Sequence, residues 1–246
     1  MDRNEVVIVT GAGRGIGRGV VEAVLREGGV AVALDPDAAA LAELFRVEEG
    51  GRGRLELHTL DVMDRVQVRQ VFNDVAERHG RIDALVNAAG TSRPASRLAV
   101  GPEDADDMIR LLLKGMFLCT TAAVPHMLKC RRGKVITIAS GAGRRGRQGT
   151  GPRATGEGGV IAFTRRLGRE LASHGIRVNA VALSAAGAER ALAHPTTLAG
   201  PLGGVIPIGL PSGHREVVAA IMFLVSPAGD AYCGQILFPG HAGVAR

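Results

Sequence analysis

The chain has 246 residues, of which 46% are hydrophobic, 22% charged and 3% aromatic, and its formal net charge is +6. That length holds one sizeable core, and the composition is neither that of a disordered polyanion nor that of a disulfide scaffold. Cys119, Cys130 and Cys233 stand far apart with no Cys-x-x-Cys pair, which argues for a reducing compartment and against a zinc ribbon.

From the N-terminus, short Val/Ile/Ala-rich runs alternate with longer helix-like segments. Strands are expected at Glu5–Thr10, Val30–Asp35, Arg54–His58, Ile82–Asn87, Lys134–Ala139, Arg177–Ala182 and Cys233–Phe238. Several are nearly continuous apolar runs, as strands covered on both faces must be. Helices are expected between them, Arg65–His79 and Ala105–Leu128 among others. The alternation predicts an α/β fold, a doubly wound parallel sheet flanked by helices, with 1–246 as a single domain and ligands at the carboxyl ends of the strands. Two segments break the pattern. Gly141–Gly159 carries eight glycines and four arginines, and Ala185–Pro211 is rich in Ala, Gly and Pro. Both follow strands, so both are expected over the ligand face, the second as a substrate lid.

No apolar run reaches the roughly 18 residues of a membrane span, and the N-terminus enters a strand rather than a signal peptide. A cytoplasmic protein is expected. The positive charge also suits a nucleic-acid binder. Against that, the chain has no Trp, one Tyr and six Phe to stack on bases, and its arginines are spread apart from one cluster. A basic enzyme surface that favours acidic partners is the reading kept.

After the first strand comes Thr10-Gly11-Ala12-Gly13-Arg14-Gly15-Ile16-Gly17. A turn that drops from a strand into a helix beside a pyrophosphate needs residues without Cβ, so that backbone N–H groups can face the anion. The spacing is Thr-Gly-x-x-x-Gly-x-Gly rather than Gly-x-Gly-x-x-Gly. Asp35 closes the second strand twenty residues after Gly15. A carboxylate there accepts both hydroxyls of an adenosine ribose and repels a 2′-phosphate, which favours NAD(H) over NADP(H).

Further motifs follow: Asp61-Val62 after the third strand, Asn87-Ala88-Ala89-Gly90 after the fourth, Gly133–Ser140, Ile176-Arg177-Val178-Asn179 and Gly234-Gln235-Ile236-Leu237. With the Thr10–Gly17 turn, they make the chain resemble the short-chain dehydrogenase/reductase family over essentially its full length. The resemblance implies a single Rossmann-type domain with strand order 3-2-1-4-5-6-7, and usually a dimer or tetramer. It also implies cofactor contacts from Gly11, Arg14, Gly15, Ile16, Gly17, Asp35, Asp61, Val62, Asn87, Ala88, Ala89 and Gly90.

In that family a Tyr donates or takes the substrate proton, a Lys four residues later lowers the phenol pKa and holds the nicotinamide ribose, a Ser positions the carbonyl and a helix Asn supports a relay water. Ser140 matches the serine. Thirteen residues on, where the tyrosine belongs, stands Arg153, and Glu157 takes the place of the lysine. The sequence Gly159-Val160-Ile161-Ala162-Phe163-Thr164 matches without a gap, so the register holds. The helix asparagine falls on Leu112, the Pro-Gly after Asn179 on Leu183-Ser184, and the nicotinamide threonine on Ala188. The one tyrosine is Tyr232, near the last strand. Every mismatch lies on the nicotinamide and substrate side.

An arginine cannot be the general acid, since its pKa exceeds about 12, but it can stabilise an oxyanion or clamp a carboxylate or phosphate. Glu157, if partly buried, can serve as a base. Ser140, Arg153 and Glu157 together suit isomerisation, elimination or decarboxylation. The blander alternative is a surface i,i+4 ion pair between Arg153 and Glu157, worth a few tenths of a kcal/mol. Gly156, Gly158 and Gly159 each cost about 1 kcal/mol of helix stability relative to Ala, so the start of their helix is expected to be frayed or remodelled. His79, His126 and His174 read as structural, whereas His194 sits in the lid. No His/Asp/Glu grouping has metal-ligand spacing.

Three functions stay open. One is a repurposed enzyme acting on a small, anionic or coenzyme A- or carrier-linked substrate. The second is an atypical NAD(H)-dependent oxidoreductase. The third is a non-catalytic subunit paired with an active homologue.

Overall fold

A computed structural model describes residues 4–45, 52–90, 102–140, 151–183 and 214–239, without the side chains of Pro102, Asp104, Ser140, Pro152 and Arg153. The Ala185–Pro211 lid, with His194 and Ala188, and the stretch 141–150 lie outside these residues. The strands are β1 (Val6–Thr10), β2 (Val30–Asp35), β3 (Arg54–Thr59), β4 (Ala84–Asn87), β5 (Gly133–Ser140), β6 (Ile176–Leu183) and β7 (Ile236–Leu237). They form one parallel sheet in the order β3-β2-β1-β4-β5-β6-β7. The expected runs thus become strands in the expected order, with shifted ends.

The sheet's composition follows from its two covered faces. Along β1, Val7 and Val9 join one buried cluster, while Val6 and Ile8 join another. The first cluster takes Val20, Val21, Val24 and Leu25 of α1 (Gly15–Glu27), with Val217, Ile221 and Leu224 of α7 (His214–Val225). The short α2 (Ala38–Ala42) adds Leu41. The second takes Val68, Phe72 and Val75 of α3 (Arg65–His79), and Cys119, Ala123 and Met127 of α5 (Met116–Cys130). A strand clamped on both faces has no polar side to show, hence the unbroken Val/Ile runs.

The expected helix Ala105–Leu128 is less regular. α4 (Pro102–Ile109) passes into a π-helical turn, Arg110–Gly115, before α5. The joined stretch Ala105–Cys130 is, by length and composition, apolar enough to cross a membrane, contrary to the expectation that no such run exists. Here the apolar positions serve the fold, since Cys119, Ala123 and Met127 pack on the sheet.

α6 spans Gly151–Leu171 without a break, so the expected fraying of its glycine-rich start is corrected. Packing outweighs propensity. A Cβ on Gly156 would stand 3.0 Å from Leu112, and one on Gly159 would stand 2.7 Å from Leu113. The missing side chains let α6 lie directly against the π-turn.

Burial pushes the Cys119 thiol up to about 12, because a thiolate there would have no water around it. Cys130 is exposed at the end of α5. In the native protein at neutral pH, an alkylating reagent is expected to label Cys130 and leave Cys119 intact until denaturant is added. Peptide mapping of the labelled protein checks this.

Candidate cofactor and active site

The glycine turn sits where β1 meets α1, and close backbone approach fixes its sequence. Gly11 has φ +64, and a Cβ on it would lie 2.8 Å from the Ala88 carbonyl oxygen and the Ala89 backbone. A Cβ on Gly17 would lie 2.1 Å from the Gly11 carbonyl oxygen. The Thr10 hydroxyl oxygen accepts from the N–H groups of Ala88 (3.1 Å) and Ala89 (3.2 Å), which ties this turn to the loop after β4. The threonine's bridging role was not legible in the sequence, because its partners are 78 and 79 residues away.

Asp35 is 5% exposed at the end of β2. Its Oδ2 accepts from the N–H of Gly13 at 2.9 Å, and its Oδ1 accepts from that of Asp37 at 3.0 Å. The carboxylate is thereby held against the glycine turn. Arg14 is exposed and its guanidinium donates to Asp37 at 2.8 Å. Ile16 packs at the rim of the first core cluster.

Asp61 is exposed and accepts from the Met63 N–H, forming a tight turn after β3. Val62 is buried against Gly115 at the end of the π-turn, where an added Cβ would be 2.8 Å from Val62 Cγ2. Asn87 ends β4 in the interior. Its amide donates to the hydroxyls of Thr120 (3.3 Å) and Thr137 (3.4 Å), whereas its buried Oδ1 has no hydrogen-bond partner among the described residues. Ala88 and Ala89 are half-buried, and Gly90 is exposed at the carboxyl edge.

The other half of the site centres on α6. Glu157 is 3% exposed, so its carboxyl group is buried and does not stand on the surface. Residue spacing supplies the reason: Glu157, Val160 and Thr164 recur on the buried face of the helix at three- and four-residue intervals. Val160 packs with Ala139 and Ala182, near the ends of β5 and β6. One turn earlier on the helix, about 5.4 Å along the axis, stands Glu157. Arg153 stands a further turn toward the ligand end on the same helix.

Leu112 has Cδ1 at 3.0 Å from the Cβ position of Gly156 and Cδ2 at 3.8 Å from that of Gly90. It forms an apolar bridge between the loop after β4 and α6. Tyr232 is elsewhere. Its ring packs edge-to-face on Phe223 of α7, with centroids 5.3 Å apart, and its carbonyl accepts from Asn179. His79 pairs with Glu56 and His126 with Asn73. No metal-ligating cluster occurs among the described residues.

A family model described as short chain dehydrogenase matches residues 5–192. A 3-oxoacyl-acyl-carrier-protein reductase of Thermotoga maritima is 34% identical over 233 residues, covering 95% of each chain. Among solved structures, an NAD⁺-bound xylitol dehydrogenase has a TM-score of 0.85 at 23% identity, covering 98% of this chain and 100% of that one. A carveol dehydrogenase of Mycobacterium avium in complex with NAD has a TM-score of 0.82 at 25% identity, covering 95% of each chain.

Proposed function

We propose, on the premise that this chain belongs to the short-chain dehydrogenase/reductase family, that it binds NAD(H) and acts on a small carbonyl, carboxylate or thioester substrate without phenol-dependent reduction. The observation that carries the reading is Glu157. A buried carboxyl group stands on an unbroken helix, at the position that the resemblance gives to the family's lysine.

The residues of the adenosine side fit a dinucleotide. The glycine turn brings backbone rather than side chains to the start of α1, which has no side-chain cap and no acid in its first turn. Its N–H groups suit a pyrophosphate. Asp35 supplies two carboxylate oxygens for ribose hydroxyls and a charge that disfavours a 2′-phosphate, so NAD(H) is preferred. The Oδ1 of Asn87, at the carboxyl end of β4, is an acceptor without a donor among the described residues.

When bound, the cofactor supplies a ring that gives or takes a hydride. The chain's own residues do the rest. The Ser140 hydroxyl donates to a substrate oxygen. The Arg153 guanidinium stabilises negative charge as it develops on that oxygen. Glu157 takes the proton from the adjacent carbon. An anionic, coenzyme A- or carrier-linked substrate is supported by the four arginines of 141–159 and by the acyl carrier in the Thermotoga relative's name. We propose a homo-oligomer, or a hetero-oligomer with a Tyr-x-x-x-Lys homologue, through the outer faces of α5 and α6. There Phe117, 51% exposed, packs edge-to-face on Phe163.

The test combines cofactor titration with solvent exchange. NADH is expected to bind saturably and more tightly than NADPH, and ketones are expected not to oxidise it. In deuterium oxide, a butyryl thioester is expected to take up deuterium at its α-carbon, about a hundredfold more slowly with Glu157→Gln. A second reading, an atypical oxidoreductase, is favoured by the reductase activity in the relative's name. Hydride transfer needs mainly proximity and orientation. NADH oxidation by a 3-oxoacyl thioester that persists in Glu157→Gln would establish this second reading and overturn the first.

A further inference from the structure

We infer that His214, the first residue of α7, is a contact for the diphosphate of the bound dinucleotide, an inference that rests on the cofactor reading above. α1 and α7 lie side by side and in parallel. Gly15 stands opposite His214, and one turn on, Gly19 stands opposite Val218, whose Cγ2 is 2.9 Å from the Cβ position of Gly19. The close seam aligns the N-termini of both helices at the carboxyl edge of the sheet.

His214 Nε2 lies 3.9 Å from the Cβ position of Gly15. The ring therefore rests beside the first residue of α1, where the turn presents its N–H groups. His214 is exposed, and its ring makes no hydrogen bond or ion pair to a described residue. Nearby cations are already engaged: Arg14 with Asp37, and Arg18 with Glu22 and Glu43. The imidazole is thus an uncommitted donor flanking the turn among the described residues, beside the starts of α1 and of α7, whose first turn also carries Glu216. A diphosphate carries acceptor oxygens enough to meet the backbone and the ring at once.

The contact predicts a phosphate-specific loss. In fluorescence titrations, His214→Leu is expected to weaken NADH about tenfold, with a similar loss for ADP-ribose in competition. His214→Gln, which keeps an N–H donor, is expected to lose less. Adenosine, which lacks phosphate, is expected to compete equally well with all three proteins. His214→Leu binding NADH as the wild type does would overturn the contact and leave the cofactor reading standing. So would an equal loss for adenosine, since that marks a distorted site. A wild type that binds neither NADH nor ADP-ribose would overturn the cofactor reading itself, and the contact with it.

Discussion

Arg153→Tyr combined with Glu157→Lys is expected to bring NADH-dependent ketone reduction about a hundredfold above the background seen with the wild type, the usual worth of a positioned general acid. The measurement is the loss of the reduced cofactor's absorbance with a panel of small ketones. A guanidinium holds its proton too tightly to give it up, whereas a phenol beside an ammonium can do so. The exchange is feasible because α6 runs unbroken from Gly151 to Leu171, so the two positions are held one turn apart. Each single change should give little, because neither group works without its neighbour. Leu112 still lacks the relay asparagine, so adding Leu112→Asn is the step that separates proton delivery from proton donation. A double variant that binds NADH yet reduces nothing would place the altered chemistry in the pocket walls rather than in the acid.

Lys134→Met is expected to lower stability by about 2–3 kcal/mol and the melting temperature by about 5–10 °C, measured by calorimetry. Lys134 is buried near the start of β5, far from the ligand edge. Its ammonium donates to the carbonyls of Val225 and Ser226 at the end of α7, and pairs with Asp230 at 2.6 Å. Those carbonyls are the free acceptors of a helix terminus, and the positive charge also meets the negative end of the helix dipole. Methionine keeps much of the volume and removes the donors. Asp230 is 61% exposed and returns to water at little cost, so lost capping accounts for most of the effect. A shift under about 1 °C would mean that water replaces the ammonium at both carbonyls.

Much of the sheet was legible because inner strands such as Val6–Thr10 and Val30–Asp35 are buried on both faces and nearly all apolar, whereas the edge strand β3 alternates polar and apolar residues. Its ends were less so. The last run was expected at Cys233–Phe238, yet pairing covers only Ile236–Leu237, since Gly234 turns to φ +69 and its N–H bonds to the Val178 carbonyl. That the glycine turn and Asp35 belong together could be read from their fixed spacing after two successive strands, and the structure sets them in hydrogen-bond contact. The helix that carries Arg153 and Glu157 could be located but its surroundings could not be shaped. Helix propensity at Gly156 and Gly159 pointed to a frayed or remodelled helix start, whereas the glycines are spaces filled by Leu112 and Leu113. A π-turn at Arg110–Gly115 has no marker in residue type, because it arises from how the helix meets its neighbours. His214 escaped notice for a similar reason. Its relation to Gly15 exists only once α1 and α7 are laid together.

The two rims of the sheet have a bearing on colloidal behaviour. β7 offers an incoming strand only two residues, and Pro239, two positions on, has no N–H to give. At the opposite rim, β3 alternates Arg54, Glu56 and His58 with its two leucines, and Glu56 is engaged by Arg78 and His79. Neither rim is a long, flat, greasy template, so unwanted strand addition between copies has little to start from. Among the described residues, edge-to-edge pairing between copies of this valine- and isoleucine-rich chain would have to begin on two paired residues at one side and a charged strand at the other.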